Sequence, residues 1–347
     1  MMRAKKSLVS MLLMLMLVFL AACGGGDKQV SGEKKTDANK KPVNIGITQI
    51  IEHPALDATR EGFIQALKEN GYADANIDYQ SAQGDQSTVA SIAQKFAADK
   101  KDAILAISTP SAQSMIKATK GTDIPVFFGA ITDPISAKLV DNKDKPGHNV
   151  TGASDTHPEA IGKMFELIKG LYPNTKTVGV IYNSGEANSV VNVKKAKESM
   201  NGMGMKTIEA NASNTSEVKQ AVDSLVGKVD VIYVPKDNTA VAAIKTIVQV
   251  SEKNKIPLFV GETDSVRAGG FAGFGIDYKD HGYQLGLMAI KVLKGEAKPG
   301  DMPVEYPKEL KLVVNKEAAA NEGIDLAKFK PILDKYNATY VEKTEKK

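Results

Sequence analysis

VNIGITQI (43–50) leads into PALDATREGFIQALKENG (54–71), and the order of these two segments sets the fold. The first is short, rich in β-branched residues and apolar on both faces, which describes a buried strand. The second opens on a proline and closes on a glycine, the punctuation of a helix. The alternation continues through NIDYQSA (76–82), STVASIAQKFAAD (87–99), DAILAIS (102–108), a helix near 111–120 and PVFFGAI (125–131). In STVASIAQKFAAD, Val89, Ile92, Ala93 and Phe96 share one helical face. Two-sided apolar strands alternating with helices predict a parallel sheet covered on both faces. The pattern then restarts with TVGVIYN (177–183), a helix around 188–202, MKTIEANA (205–212), a helix near 215–227, VDVIYVP (229–235), a helix near 239–253 and IPLFVGE (256–262). Two α/β halves of similar size therefore follow one another, alike in architecture and not in sequence. NVTGASD (149–155) lies between them, and 271–295 reads as a strand running into a long helix.

Both ends of the chain lie outside this pattern. Arg3, Lys5 and Lys6 precede the uncharged run SLVSMLLMLMLVFLAA, which ends at Cys23, the single cysteine of 347 residues. This is the form of a signal peptide over residues 1–22. One cysteine excludes an intramolecular disulfide and a cysteine-built metal cluster. Residues 23–42 are rich in Gly, Lys and Asp and poor in apolar residues, so they read as a flexible tether. The chain carries 45 basic and 41 acidic residues; without the three basic residues of 1–22 the balance is 42 to 41. A near-neutral sum supplies no electrostatic reason for a nucleic-acid partner.

Ligands of open parallel sheets bind beyond the carboxyl ends of the strands. Here those ends are polar: Thr48 to His53, Ser108 to Gln113 and Thr132-Asp133-Pro134 in the first half; NSGEANS (183–189), Lys236 to Thr239 and Glu262-Thr263-Asp264 in the second. Any one of these loops alone reads as a turn or helix cap. Six together, three per half, predict a shared cleft. Hydroxyls after the third and fourth strands are expected at helix starts, where an anion is favoured, so Ser111 and Thr132 are candidates for a ligand carboxylate. Asp237 is the candidate acceptor for an ammonium group. Tyr182, Tyr233, Phe128 and Phe274 are available for stacking on a ligand ring, although each sits at or near a strand, where ordinary core packing explains it.

The strings GITQIIEHPALDATREGF (46–63), ISTPSAQ (107–113), AITDPISAKLV (130–140), NVTGASD (149–155), YNSGEANS (182–189), VPKDNT (234–239) and GGFAGFGIDYKDHG (269–282) resemble those of bacterial ABC-transporter substrate-binding lipoproteins of the tryptophan and aromatic amino acid group. The resemblance spans roughly residues 43–330. It implies a type I periplasmic-binding-protein fold: two Rossmann-like lobes with parallel sheets, joined by a three-stranded hinge near 152–156 and 276–280. It places 43–152 plus about 278–304 in the N-terminal lobe and 153–277 plus about 305–340 in the C-terminal lobe. Ligand contacts are implied at Thr48, His53, Ser111 and Thr132 from one lobe, and at Asn183, Ser184, Glu186, Asn188 and Asp237 from the other. A lipid on Cys23 would hold a monomeric body at the outer face of the cell membrane, beside a permease and its ATPase, with no cofactor. Lys236 departs from the group's pattern and is expected to extend its ammonium to solvent.

Rival readings have less support. The late glycines Gly269, Gly270, Gly273 and Gly275 do not form a dinucleotide fingerprint after an early strand, and no G-x-S-x-G elbow occurs. His53, His148, His157 and His281 lack metal-type spacing. A sensor on the same fold, signalling to a membrane receptor, remains the alternative, with a small extracytoplasmic enzyme behind it.

Overall fold

The computed structural model describes residues 42–345. The expected signal peptide, most of the tether and Cys23 lie outside them. The described residues form two sheets. In the first, β1 (Asn44–Gln49), β2 (Asn76–Ser81), β3 (Ala103–Ile107), β4 (Val126–Ile131) and β5 (Val150–Ser154) are arranged β2-β1-β3-β4-β5, and every pair is parallel. Helices α1 (Pro54–Glu69), α2 (Gln86–Ala98) and α3 (Thr109–Ala118) connect them. All five residues of β3 are buried, as its unbroken apolar run requires.

A second sheet follows the order β12-β11-β10-β9-β8-β6-β7. Its strands are β6 (Thr177–Tyr182), β7 (Lys206–Asn211), β8 (Val231–Val234), β9 (Leu258–Val260), β10 (Ala272–Gly275), β11 (Lys311–Asn315) and β12 (Thr339–Val341). Only β10 and β11 pair antiparallel among the described strands. The helices here are α4 (Ala160–Leu171), α5 (Ala187–Gly202), α6 (Val218–Asp223), α7 (Asn238–Ala242), α8 (Ile244–Asn254) and α9 (Thr263–Arg267), then α10 (Tyr278–Leu293), α11 (Lys316–Glu322) and α12 (Leu326–Lys335). Two expected helices are shorter than their sequence pattern. The segment 239–253 breaks at Ala243 into α7 and α8, and 215–227 yields a single 3-10 turn and the six-residue α6.

Helix α10 belongs with the first sheet. Its Leu285, Met288, Ala289 and Ile290 share a core with Ile45, Phe63 and Phe127. Glycines allow α10 and α1 to touch backbone to backbone: a Cβ on Gly62 would lie 1.9 Å from the Lys279 carbonyl, and one on Gly282 1.9 Å from that of Thr59. The chain thus crosses between the sheets three times, after β5, between β10 and α10, and before β11. Two of the crossings are hydrogen-bonded: Ser154 N donates to Glu305 O at 2.8 Å and Glu305 N to Gly152 O at 3.0 Å. Crossings this close together let the two bodies rotate without either core being disturbed.

Candidate ligand-binding cleft

The carboxyl ends of both sheets face one another, and their polar groups differ in kind. On the first-sheet side, Thr48 Oγ1, Ser108 Oγ, Thr109 Oγ1 and Ser111 Oγ are buried without a hydrogen-bond partner, as is His53 Nδ1. A buried polar atom left unmet costs about 1–3 kcal/mol, so a cluster of them is unusual in a finished core. Ser108, Thr109 and Ser111 open the ten-residue helix α3, whose N-cap Ser108 makes no side-chain cap bond. Free N–H groups and hydroxyls at a helix start suit an anion. Ser108 and Ala130 hold φ of 81° and 55° at the ends of β3 and β4, local strain of the kind that collects at ligand sites. No helix begins after β4: Asp133 instead closes a turn, its carboxylate accepting from Ser136 N at 3.0 Å, so Thr132 presents a hydroxyl without a helix behind it.

On the second-sheet side the carboxylates are fully engaged. Asp237 caps α7, with Oδ1 accepting from Ala240 N at 2.6 Å and Oδ2 from Asn183 N at 2.7 Å and Ser189 Oγ at 2.5 Å. Burial, and then the Glu186 carboxylate beside it, pushes the Asp237 carboxyl well above its ordinary range. Glu186 accepts from Thr239 Oγ1 at 3.0 Å, from Asn188 Nδ2 at 3.1 Å and from Asn238 Nδ2. Asn183 also donates to Thr239 Oγ1 at 3.0 Å, while Ser184 is exposed and donates its N–H to Asn211 at 2.9 Å. NSGEANS therefore ties β6 to the β8 loop as much as it faces the cleft.

Lys236 does not reach solvent, contrary to the sequence expectation. Its Nζ lies 3.3 Å from Asp155 Oδ1 and donates to the Asp155 carbonyl, with the side chain 10% exposed. The β8 loop aims the lysine at the crossing after β5, where a carboxylate meets it. Asp155 also accepts from the Tyr278 hydroxyl at 2.6 Å. Neither Asp155 nor Tyr278 was expected as a cleft residue; the only signal was that both lie in the strings that mark the crossings. Burial drives His53 and His281 down to about 4, so both are neutral near pH 7. His281 Nε2 accepts from Ala130 N at 3.0 Å.

These groups enclose a cavity of about 20 Å³ lined by His53, Thr132, Asp155, Asn188, Lys236 and Asp237 among others. That is room for a water molecule, not for an amino acid. Asn192 of α5 donates to Thr132 Oγ1 across it at 3.1 Å, so the two sides are drawn together. Of the expected residues, His53, Thr132, Asn188 and Asp237 share the cavity wall; Thr48 and Ser111 lie off it with unmet hydroxyls; Asn183 and Glu186 support Asp237 and Asn188. Three of the four candidate stacking aromatics are buried: Tyr233 packs edge-on against Phe165, Phe274 against Tyr336, and Phe128 is fully buried; Tyr182 is half-buried, with its hydroxyl on Glu209. Among the described residues no group of three or more His, Cys, Asp or Glu is placed to hold a metal, and no helix is long and apolar enough to cross a membrane.

Two α/β lobes, three crossings and a polar cleft at facing strand ends define the type I periplasmic-binding-protein class. The chain belongs to the ABC transporter substrate-binding protein family, which it matches over residues 44–329. Members of that family are solute-binding proteins rather than enzymes, and those of importers work outside the cytoplasm. A tyrosine-binding protein of Clostridioides difficile is 44% identical over 314 residues, covering 89% of each chain. A Streptococcus pneumonia structure in complex with L-Trp shares 38% identity over 86% of this chain and all of its own, with a TM-score of 0.79. A ligand-free, open substrate-binding protein of Clostridium difficile is 44% identical over 86% of this chain and 99% of its own, yet scores only 0.62. The higher identity goes with the lower score, so over its length this chain superposes better on the L-Trp complex than on the open protein.

Proposed function

We propose that this substrate-binding protein captures an amino acid, and specifically an aromatic one such as tyrosine, tryptophan or phenylalanine, between its lobes. The carrying observation is the asymmetry of the cleft: unmet hydroxyls at a helix start on one side, buried carboxylates on the other. Such a pair of walls fits a zwitterion. Relatives described as tyrosine-binding and as complexed with L-Trp support the aromatic choice. Thr48, Ser111 and Thr132 take the carboxylate end, with His53 beside it as a neutral donor or stacking surface. Asn188 and Asp237, held by Asn183, Glu186 and the Ser184 turn, form the opposing wall.

Closure about the crossings gives the second-lobe contacts, and the ligand stabilises the closed form only through them. The lobes comprise 43–152 with about 278–304, and 153–277 with about 305–340, a division supported by the packing of α10 on α1. Delivery is to a permease and its ATPase, without catalysis or a cofactor, by a monomer anchored through a lipid on Cys23. Thermal-shift screening against the twenty amino acids tests this. An aromatic amino acid should raise Tm by several degrees; no shift with any amino acid overturns the proposal.

A further inference from the structure

We propose that Asp155 receives the ligand's ammonium group, and that Lys236 is a built-in cation which the ligand displaces. The inference rests on the amino-acid reading above and names the acceptor within that site.

Three carboxyls line the cavity: Asp155, Asp237 and Glu262. Asp237 is saturated by two backbone amides and a serine of its own lobe. Glu262 caps α9, accepting from Asp264 N at 2.6 Å and Ser265 N at 2.8 Å. Those partners are fixed in place and cannot yield to a ligand without unravelling a helix start. Asp155 differs. It accepts from Tyr278 at 2.6 Å and Thr156 Oγ1 at 3.1 Å, and its charged partner is the end of a flexible four-carbon stem. The Lys236 carbonyl is held separately, by Asn188 Nδ2 at 3.2 Å and Asn192 Nδ2 at 3.4 Å. The side chain can therefore swing while its backbone stays.

Exchange of one ammonium for another keeps Asp155 paired throughout, which avoids the large penalty of a lone buried charge. Burial pushes the Asp155 carboxyl up, but the Lys236 ammonium and the hydrogen bonds from Tyr278 and Thr156 outweigh it and hold the group below its ordinary value, so it meets the ligand as an anion.

The exchange also makes room. Lys236 lines the polar cavity and a second one of about 10 Å³, whose wall includes Ile161, Met164, Tyr233 and Phe274. Lys236 is the one residue the two walls share. Withdrawal joins the two, placing an apolar, aromatic-walled space next to the Asp155 carboxylate. That is the layout an aromatic amino acid needs, with its ammonium on Asp155 and its ring toward Tyr233 and Phe274.

The test is calorimetric titration of the full-length protein with L-tyrosine, L-tryptophan and the des-amino analogue 3-(indol-3-yl)propionate. Asp155→Asn should weaken binding of the amino acid by 30-fold or more and leave the des-amino analogue within about threefold of wild type. Lys236→Met, which keeps the stem and removes the competing charge, should bind the amino acid at least fivefold more tightly. The double variant carries no lone buried charge, so it guards against misfolding, and it should be as weak as Asp155→Asn. Wild-type affinity in Asp155→Asn, or unchanged or weaker binding in Lys236→Met, overturns the assignment alone. Failure of the wild type to bind either amino acid overturns the reading beneath it, and the assignment falls with it.

Discussion

The strand ends of the two lobes are both polar, yet they are finished differently. In the first lobe Thr48, Ser108, Thr109 and Ser111 are buried with hydroxyls that no protein group meets. In the second, Asp237, Glu186 and Glu262 have every carboxylate oxygen occupied by an amide or hydroxyl. A wall with unmet capacity gains from a ligand; the second wall, with its carboxylates occupied and Asn188 Oδ1 left unmet, has less to gain and serves more as a rigid surface. The first lobe is therefore expected to set affinity through hydrogen bonds, and the second to set shape and charge.

Mutations should divide along the same line. The largest effect is expected at Asp237→Ala, which uncaps α7 and strands Asn183 N, Ser189 Oγ and Ala240 N. Chemical denaturation should show a loss of about 3 kcal/mol, with weaker ligand binding as a consequence of the disturbed wall. Ser111→Ala or Thr48→Val should behave in the opposite way. Ligand-free stability should hold or rise slightly, while affinity falls roughly tenfold; a drop in ligand-free Tm of several degrees would contradict the contrast. Asn192→Ala removes the bond to Thr132 that spans the cleft. Small-angle scattering should show a more open ligand-free population, and affinity should fall about fivefold, the equivalent of about 1 kcal/mol.

The smallest effect is on pH. Burial pushes Glu322 up to about 8 and raises Asp237 and Glu262 in the same direction. The folded protein then binds more protons than the unfolded chain above the ordinary carboxyl range, so stability falls as pH rises toward 8. His53 and His281 oppose this weakly: at pH 6.5 they are half-protonated in the unfolded chain and neutral in the folded one, so they add a little stability as pH rises to about 7.5. Melting curves should show Tm falling by a few degrees between pH 6.5 and 8; a rise would mean that burial does not keep these carboxyls protonated.

Strand and helix order was readable along the chain because burial on both faces leaves apolar runs that no surface segment tolerates. β1, α1, β3 and β4 fall within a residue or two of their sequence boundaries. The resemblance in seven strings likewise pointed to the family that the chain matches. Less legible were the short elements. The break at Ala243 lies inside a continuous helical pattern, and α9, α11 and β12 are only five, seven and three residues long, too short for a periodic pattern to show. Thr132 was expected at a helix start, because a hydroxyl followed by Asp-Pro reads the same before a turn as before a helix.

What the sequence determined by itself is the alternation of apolar strands and amphipathic helices, its repetition in two halves, and the concentration of polar side chains at strand ends. Each is a local consequence of burial and backbone chemistry. Only the tertiary structure decided which of those polar groups are satisfied and which are not. Lys236 shows the reason. Its stem reaches solvent or a buried carboxylate with equal ease, and Asp155, which settles the matter, is 81 positions away along the chain and 3.3 Å away in space.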